Sequence, residues 1–172
     1  PKFSIYNGIG LLITGPLSVN FGGWLADRLV ASGRPDGPVL VLSWGMWLMA
    51  ASAIVFPLLP SAELSFAVYI LTIVGAAMAT ATAPTSLVNI APGQIRSQTI
   101  ALFYLVISLI GAIIGPQAVA FFTDYLFRDE SMIRYSMALL PAIVAVVAIY
   151  PASIVRAAYR RELAEREIQL AG

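Results

Sequence analysis

The sequence contains no cysteine and no histidine among its 172 residues. The absence of cysteine excludes disulfides and thiolate chemistry, and the absence of histidine removes the commonest general base and metal ligand. Charged residues make up only 11% of the chain, whereas soluble globular domains carry about 25%. The net charge of +1 gives no overall attraction to nucleic acid. No nucleophile–base pair is visible either, so we expect neither an enzyme nor a bound cofactor or metal.

Hydrophobic residues make up 59% of the chain. The charges fall almost entirely between five uncharged stretches of 21 to 32 residues, and about 20 apolar helical residues are enough to cross a bilayer core. The strands of a membrane barrel would alternate apolar and polar residues over segments of about ten residues, and the helices of a soluble bundle would keep a polar face. The sequence therefore predicts an all-α membrane protein with five transmembrane helices, at about 4–27, 38–60, 64–91, 97–124 and 134–156, and a tail at 157–172.

The basic residues predict the orientation of these spans. One side of the membrane would hold seven of the ten: Arg28, Arg34, Arg96, Arg156, Arg160, Arg161 and Arg166. We therefore expect a protein of the cell (inner) membrane. The positive-inside rule places the arginine-rich side, with the C-terminus, in the cytoplasm and the N-terminus outside. We expect the tail to be a solvated helix at the lipid headgroups, with binding of a specific partner as the alternative. No signal peptide is visible and the chain opens with Pro1, so we expect an N-terminal portion to be missing.

Small residues recur at helical spacing in two of the spans and predict helix packing, because they let neighbouring backbones approach closely. They are Gly8, Gly15, Ser18 and Gly22 in the first span, and Gly111 and Gly115 in the fourth. Pro84 and Pro116 predict local breaks in the third and fourth spans, where freed carbonyls need a partner or a cavity.

Polar residues inside the third span fall on one helical face, at Thr82, Thr85, Ser86 and Asn89. Polar groups at membrane depth must face protein or water, so this face is a candidate wall of a hydrated cavity. The alternatives are hydrogen bonds between helices, or hydroxyls that bond back to their own helix. Weaker candidates of the same kind lie in the fourth span, at Tyr104, Ser108 and Gln117.

The loop after the first span resembles the cytoplasmic signature of the major facilitator superfamily, a glycine followed by an Asp-Arg pair and a Gly-Arg pair. Gly23, Asp27 and Arg28 match it directly, whereas Gly33 and Arg34 match only after an insertion of three residues. Two further segments resemble the family's pattern around its eleventh helix: 92–101, with its Pro…Arg…Ala spacing, and 115–124, with Gly-Pro followed by Asp. The likeness covers nearly the whole chain, and the spinster-like or general bacterial branch is the nearest in character.

The resemblance implies helices eight to twelve, most of the C-terminal six-helix half of a twelve-helix transporter. A small solute would be held between two such halves near the membrane midplane, with a coupling proton or ion. The missing N-terminal half and the lipid bilayer would be the partners, and this piece alone would not transport. The third and fourth spans would be the tenth and eleventh helices, which face the cavity.

We expect a conformational latch at the cytoplasmic ends, built from Gly23, Asp27, Arg28, Arg34 and Arg96. Asp27 would cap a neighbouring helix and pair with Arg96, and breaking these contacts would bias the opening of either face. Simple anchoring of the topology by the arginines is the alternative. A secondary active transporter working by alternating access is the first hypothesis for function, a structural or assembly subunit without transport the second, and a membrane enzyme the third.

Overall fold

The structure is a computed structural model and describes residues 2–122, 133–149 and 152–171. Within these residues the chain is almost entirely helical and contains no strand. Two 3-10 turns, Phe56–Leu58 and Gly93–Ile95, and one π-helical segment, Ile110–Ile114, join or interrupt the helices. The helices are α1 Lys2–Ala31, α2 Gly37–Val55, α3 Ala62–Ile90, α4 Arg96–Leu109, α5 Gly115–Phe121, α6 Ile133–Ile149 and α7 Ala152–Ala171.

Four helical stretches are long and apolar enough to cross a membrane, which agrees with an all-α membrane protein. They are Asn7–Ala31, Gly37–Leu58, Ala62–Ile90 and Gly93–Phe121. Where the sequence predicts a fifth span, the structure has a shorter apolar helical stretch, Ile133–Val146, within α6. Positions 150 and 151 of that predicted span lie outside the described residues, as do 123–132, which carry Asp124 and Arg128.

The connection between α1 and α2 is a tight turn with clear local causes. Gly33 takes a positive φ of 85°, a conformation that glycine adopts without strain just after a helix. The amides of Gly33 and Arg34 bond back to carbonyls in the last turn of α1, at 3.0 Å each. Asp36 occupies the N-cap of α2, and Pro38 lies in its first turn, where a missing N–H costs nothing. The turn therefore fixes where Asp36 is placed.

Helices α1, α2 and α3 form the packed part of the molecule. Ala26, Val41 and Met78, one from each helix, make its buried centre. Helices α2 and α3 approach most closely at two glycines, because a Cβ at Gly45 would lie 2.8 Å from the carbonyl oxygen of Gly75. A Cβ at Gly75 would lie 2.5 Å from the amide of Met49. No larger side chain fits at this crossing, so the two backbones meet there directly.

The fourth span is interrupted near its centre, whereas the third is not. Helix α3 continues through Pro84 to Ile90. The fourth span runs as α4, the π segment and α5, and the amide of Gly115 bonds five residues back to Ile110. Pro116 follows directly and has no N–H to donate to the preceding turn. A π segment thus ends two residues before Pro116, where the sequence predicts a break. The break predicted at Pro84 is wrong, because α3 continues through that proline as regular helix.

Candidate functional site

The interrupted fourth span presents its polar side chains outward. Tyr104, Ser108 and Gln117 are exposed, and they lie before and after the π segment. Among the residues whose burial the structure describes, none in the most apolar stretch of this span is buried within the chain. Tyr104 and Ser108 lie near the middle of a segment long enough to cross a bilayer, where a polar group facing lipid is costly. In a membrane, this face would need protein or water against it to form hydrogen bonds with these polar side chains.

The polar face of α3 is divided between the bundle and the outside. Thr82 and Ser86 are buried, and their hydroxyls donate to the carbonyls of Met78 and Thr82 at 2.9 Å each. The Thr85 hydroxyl donates to its own helix at 3.3 Å but its side chain is exposed. These three hydroxyls bond back to the helix, one of the alternatives that the sequence left open. Their part in lining a cavity stays a prediction.

The residues of the predicted latch lie in the last part of α1, in the turn that follows it and at the start of α4. Gly23 is half-buried, whereas Asp27, Arg28, Arg34 and Arg96 are exposed. Arg28 stacks on the Trp24 ring, with its guanidinium 5.2 Å from the ring centroid. Arg96 is the first residue of α4, and its Nε donates to the carbonyl of Ala91, the residue after α3, at 3.2 Å. Two ion pairs at this end of the bundle form at another carboxylate.

That carboxylate is Asp36, which is completely buried. Arg156 of α7 donates from its Nε to the Asp36 Oδ2, and the Nε of Arg160 lies 3.5 Å from the same oxygen. The two arginines are one helical turn apart and remain partly exposed, at 38% and 53% of their side chains. A buried carboxylate is stable only with counter-charges, so docking of α7 is what permits Asp36 to be buried.

Two opposing effects set the protonation of Asp36. Burial raises the pKa of its carboxyl, but the hydrogen bond from Arg156 and the charges of Arg156 and Arg160 outweigh burial. The net pKa lies below the ordinary value of 3.8, so the carboxylate is charged at neutral pH. Its second oxygen, Oδ1, is buried without a hydrogen-bond partner among the described residues. The Asp36 side chain also makes no capping bond to α2, because it is committed to the arginines.

A second polar contact joins α7 to the end of α3. The Nδ2 of Asn89 donates to the Tyr159 hydroxyl at 3.0 Å, and Tyr159 is 4% exposed. Burial raises the pKa of Tyr159 above its ordinary value of 10.0, so the hydroxyl keeps its proton. Asn89, predicted to line a cavity, is therefore bonded to the tail helix. We call Asp36, Asn89, Arg156, Tyr159 and Arg160 the α7 cluster.

The small residues predicted to pack differ in their surroundings. Ser18 is buried, and a Cβ at Gly22 would lie 3.0 Å from the Cα of Met78 in α3. These two therefore lie against neighbouring helices. No described atom comes within 4 Å of a Cβ added at the remaining four, which are Gly8, Gly15, Gly111 and Gly115.

One apolar cavity of about 290 Å³ lies between α2, α3 and α6. Its wall includes Met46, Met49, Leu140 and Val144, with Thr72 as the polar residue. The Thr72 hydroxyl is already bonded to Ser52 at 3.0 Å. Within the part of the chain that the structure describes, no cluster of acidic side chains could hold a metal ion.

A scan against protein-family models found no match, and no curated protein or solved structure matches the chain either. The relation to the major facilitator superfamily therefore stands on the motifs of the sequence alone and enters below as a proposal.

The sequence analysis missed four members of the α7 cluster: Asp36, Arg156, Tyr159 and Arg160. Signals for them were present. Asp36 is an acid on the arginine-rich side, directly before a span, where its charge would oppose the basic bias. Arg156 and Arg160 are four residues apart, so they share one helical face with Tyr159 beside them.

Proposed function

We propose that this chain is the larger part of the C-terminal half of a secondary active transporter of the major facilitator type, which moves a small solute by alternating access. The observation that carries the proposal is the interrupted fourth span, with Tyr104 and Ser108 exposed at membrane depth. π segments inside helices occur frequently at functional sites, and many transporters hold their solute near the membrane midplane, close to which the π segment lies in the proposed span.

The exposed polar face of α4 and α5 is the proposed cavity wall. A span without buried residues in its own chain needs another protein surface or water opposite its polar groups. A second, six-helix half supplies that surface in such transporters, with the solute between the halves. The α7 cluster lies at the proposed cytoplasmic end and is not part of the proposed cavity wall.

The chemistry of this wall limits the solute. A phenol, a hydroxyl and a carboxamide, from Tyr104, Ser108 and Gln117, can donate and accept hydrogen bonds but carry no charge. The wall therefore suits a neutral amphiphilic, sugar-like or drug-like molecule. An acidic solute would need its positive partner from the other half, and a coupling proton would need a carboxylate from there too.

Uptake of labelled solutes into vesicles that contain the complete protein tests the proposal. We expect uptake of at least one neutral polar solute, reduced at least tenfold by Ser108→Ala or Gln117→Leu. Thr99→Val is the matched control in the same span, because the Thr99 hydroxyl bonds back to Ile95 near the start of α4. A complete protein that accumulates no solute of a broad neutral panel, or variants that transport like the control, would overturn the proposal.

A further inference from the structure

The α7 cluster joins two helix ends that are far apart in the sequence. Asp36 belongs to the start of α2 and Asn89 to the last turn of α3, and α7 contacts both through residues within one turn of each other. The tail is therefore more than a solvated helix, since Tyr159 is buried and Arg156 is bonded to a buried carboxylate.

The crossing of α2 and α3 is a point about which the joined helix ends could move apart. The two backbones meet at Gly45 and Gly75, where no side chain intervenes. Asp36 lies nine residues from Gly45, and Asn89 lies fourteen from Gly75, which at 1.5 Å per residue is about 14 Å and about 21 Å. A close glycine contact is a point about which two helices can tilt, and α7 bridges the ends on one side of it.

We propose that α7 is a releasable strap. In the closed form described here it holds the proposed cytoplasmic ends of α2 and α3 together through Asp36 and Asn89. In the released form Arg156 and Arg160 turn to water, Asp36 becomes hydrated, and the two ends separate about the Gly45–Gly75 crossing. The partial exposure of both arginines supports release, because they can regain water without first crossing the bundle. The strap's role in opening the cytoplasmic face rests on the proposed transport function, whereas its existence does not.

The test measures the distance between the two ends by pulsed electron resonance on the full chain in lipid nanodiscs. The absence of cysteine allows a spin label at each of two exposed positions, Ser32→Cys and Gln94→Cys, without background labelling. We expect one narrow distance distribution for this labelled protein. Changing both arginines, Arg156→Gln with Arg160→Gln, should add a second, longer component that the parent lacks.

Two further variants separate a strap from general destabilisation. Arg156→Lys keeps the charge and should retain the narrow distribution, and Arg161→Gln, on the exposed side of α7, should leave it unchanged. A folded double glutamine variant with the parent's distribution would overturn the proposal. If that variant does not fold, Tyr159→Phe removes only the hydroxyl that Asn89 bonds, and a distribution identical to the parent's overturns it equally. The distances are read without any solute, so loss of transport and loss of the strap are recorded separately.

Discussion

Asp36 is the residue whose charge state has the clearest consequence for stability. Its surroundings contain the two arginines of the α7 cluster and the neutral Tyr159. Because its pKa is lowered in the folded chain, the unfolded chain binds a proton first as pH falls through about 3.8. The stabilising contribution is therefore complete at neutral pH and is lost only in the acid range, as pH falls toward the folded pKa.

We predict that thermal unfolding in detergent, followed by circular dichroism from pH 7 to pH 3, distinguishes Asp36 from Asp27. Asp36→Asn should lower the unfolding temperature at pH 6, and its difference from the wild type should shrink below about pH 4. Asp27→Asn is the matched control, because Asp27 is exposed. A constant difference between Asp36→Asn and the wild type down to pH 3 would contradict the role of the charge.

Gly75 is the residue whose lack of a side chain matters most. We predict that Gly75→Ala destabilises the chain by about 1–3 kcal/mol, the usual range for an overpacked contact. The added Cβ would meet the backbone of Met49 at 2.5 Å and that of Gly45 at 2.6 Å, and neither can move alone. Gly15→Ala in α1 has open space around it and serves as the control. Equal unfolding temperatures for the two variants would show that α2 and α3 do not meet at these glycines.

The helices themselves followed largely from the length and uniformity of the uncharged stretches. Among the described residues, four of them correspond to helices long enough to cross a bilayer. The close crossing at Gly45 and Gly75 was not predicted, because isolated glycines signal nothing until the partner helix is known. The α7 cluster was missed although its charged residues were visible in the sequence, because Asp36 and Arg156 are 120 residues apart and only the fold brings them together. The polar face of α3 could be placed on one side of a helix, but pattern alone could not say that Thr82 and Ser86 turn into the bundle.

A further prediction concerns the π segment of the fourth span and its dependence on Pro116. Pro116→Ala restores an N–H that can bond to the preceding turn, so the π segment should convert to regular helix. We expect amide hydrogen exchange across 110–117 to slow at least several-fold, and uptake by the complete protein to fall with it. Pro141→Ala in α6 is the control, because that proline lies inside a helix without a π segment. Unchanged exchange at 110–117 would mean that the interruption has a cause other than Pro116.

The whole molecule adds a constraint on topology that does not depend on any motif. Through Asp36 and Asn89, α7 contacts both the α1–α2 connection and the end of α3, so these three segments lie at one end of the bundle. The arginine count assigned the same three segments to one side of the membrane. Contacts and charges thus agree on which segments share a side, and the positive-inside rule then predicts that the side is cytoplasmic.

Single cysteines in the cysteine-free chain test that topology. Ser32→Cys, Gln94→Cys and Ala164→Cys should react with a membrane-impermeant thiol reagent only after the cytoplasmic side is opened, because all three positions are exposed at the arginine-rich end. Pro60→Cys, exposed between α2 and α3 at the other end, should react in intact cells. If Ala164→Cys reacts from outside while Ser32→Cys does not, α7 cannot reach Asp36 in the membrane and the strap fails together with the topology. If all three react from outside, the bundle is inverted and the strap stands, because its contacts are internal to one end of the molecule whichever way that end faces.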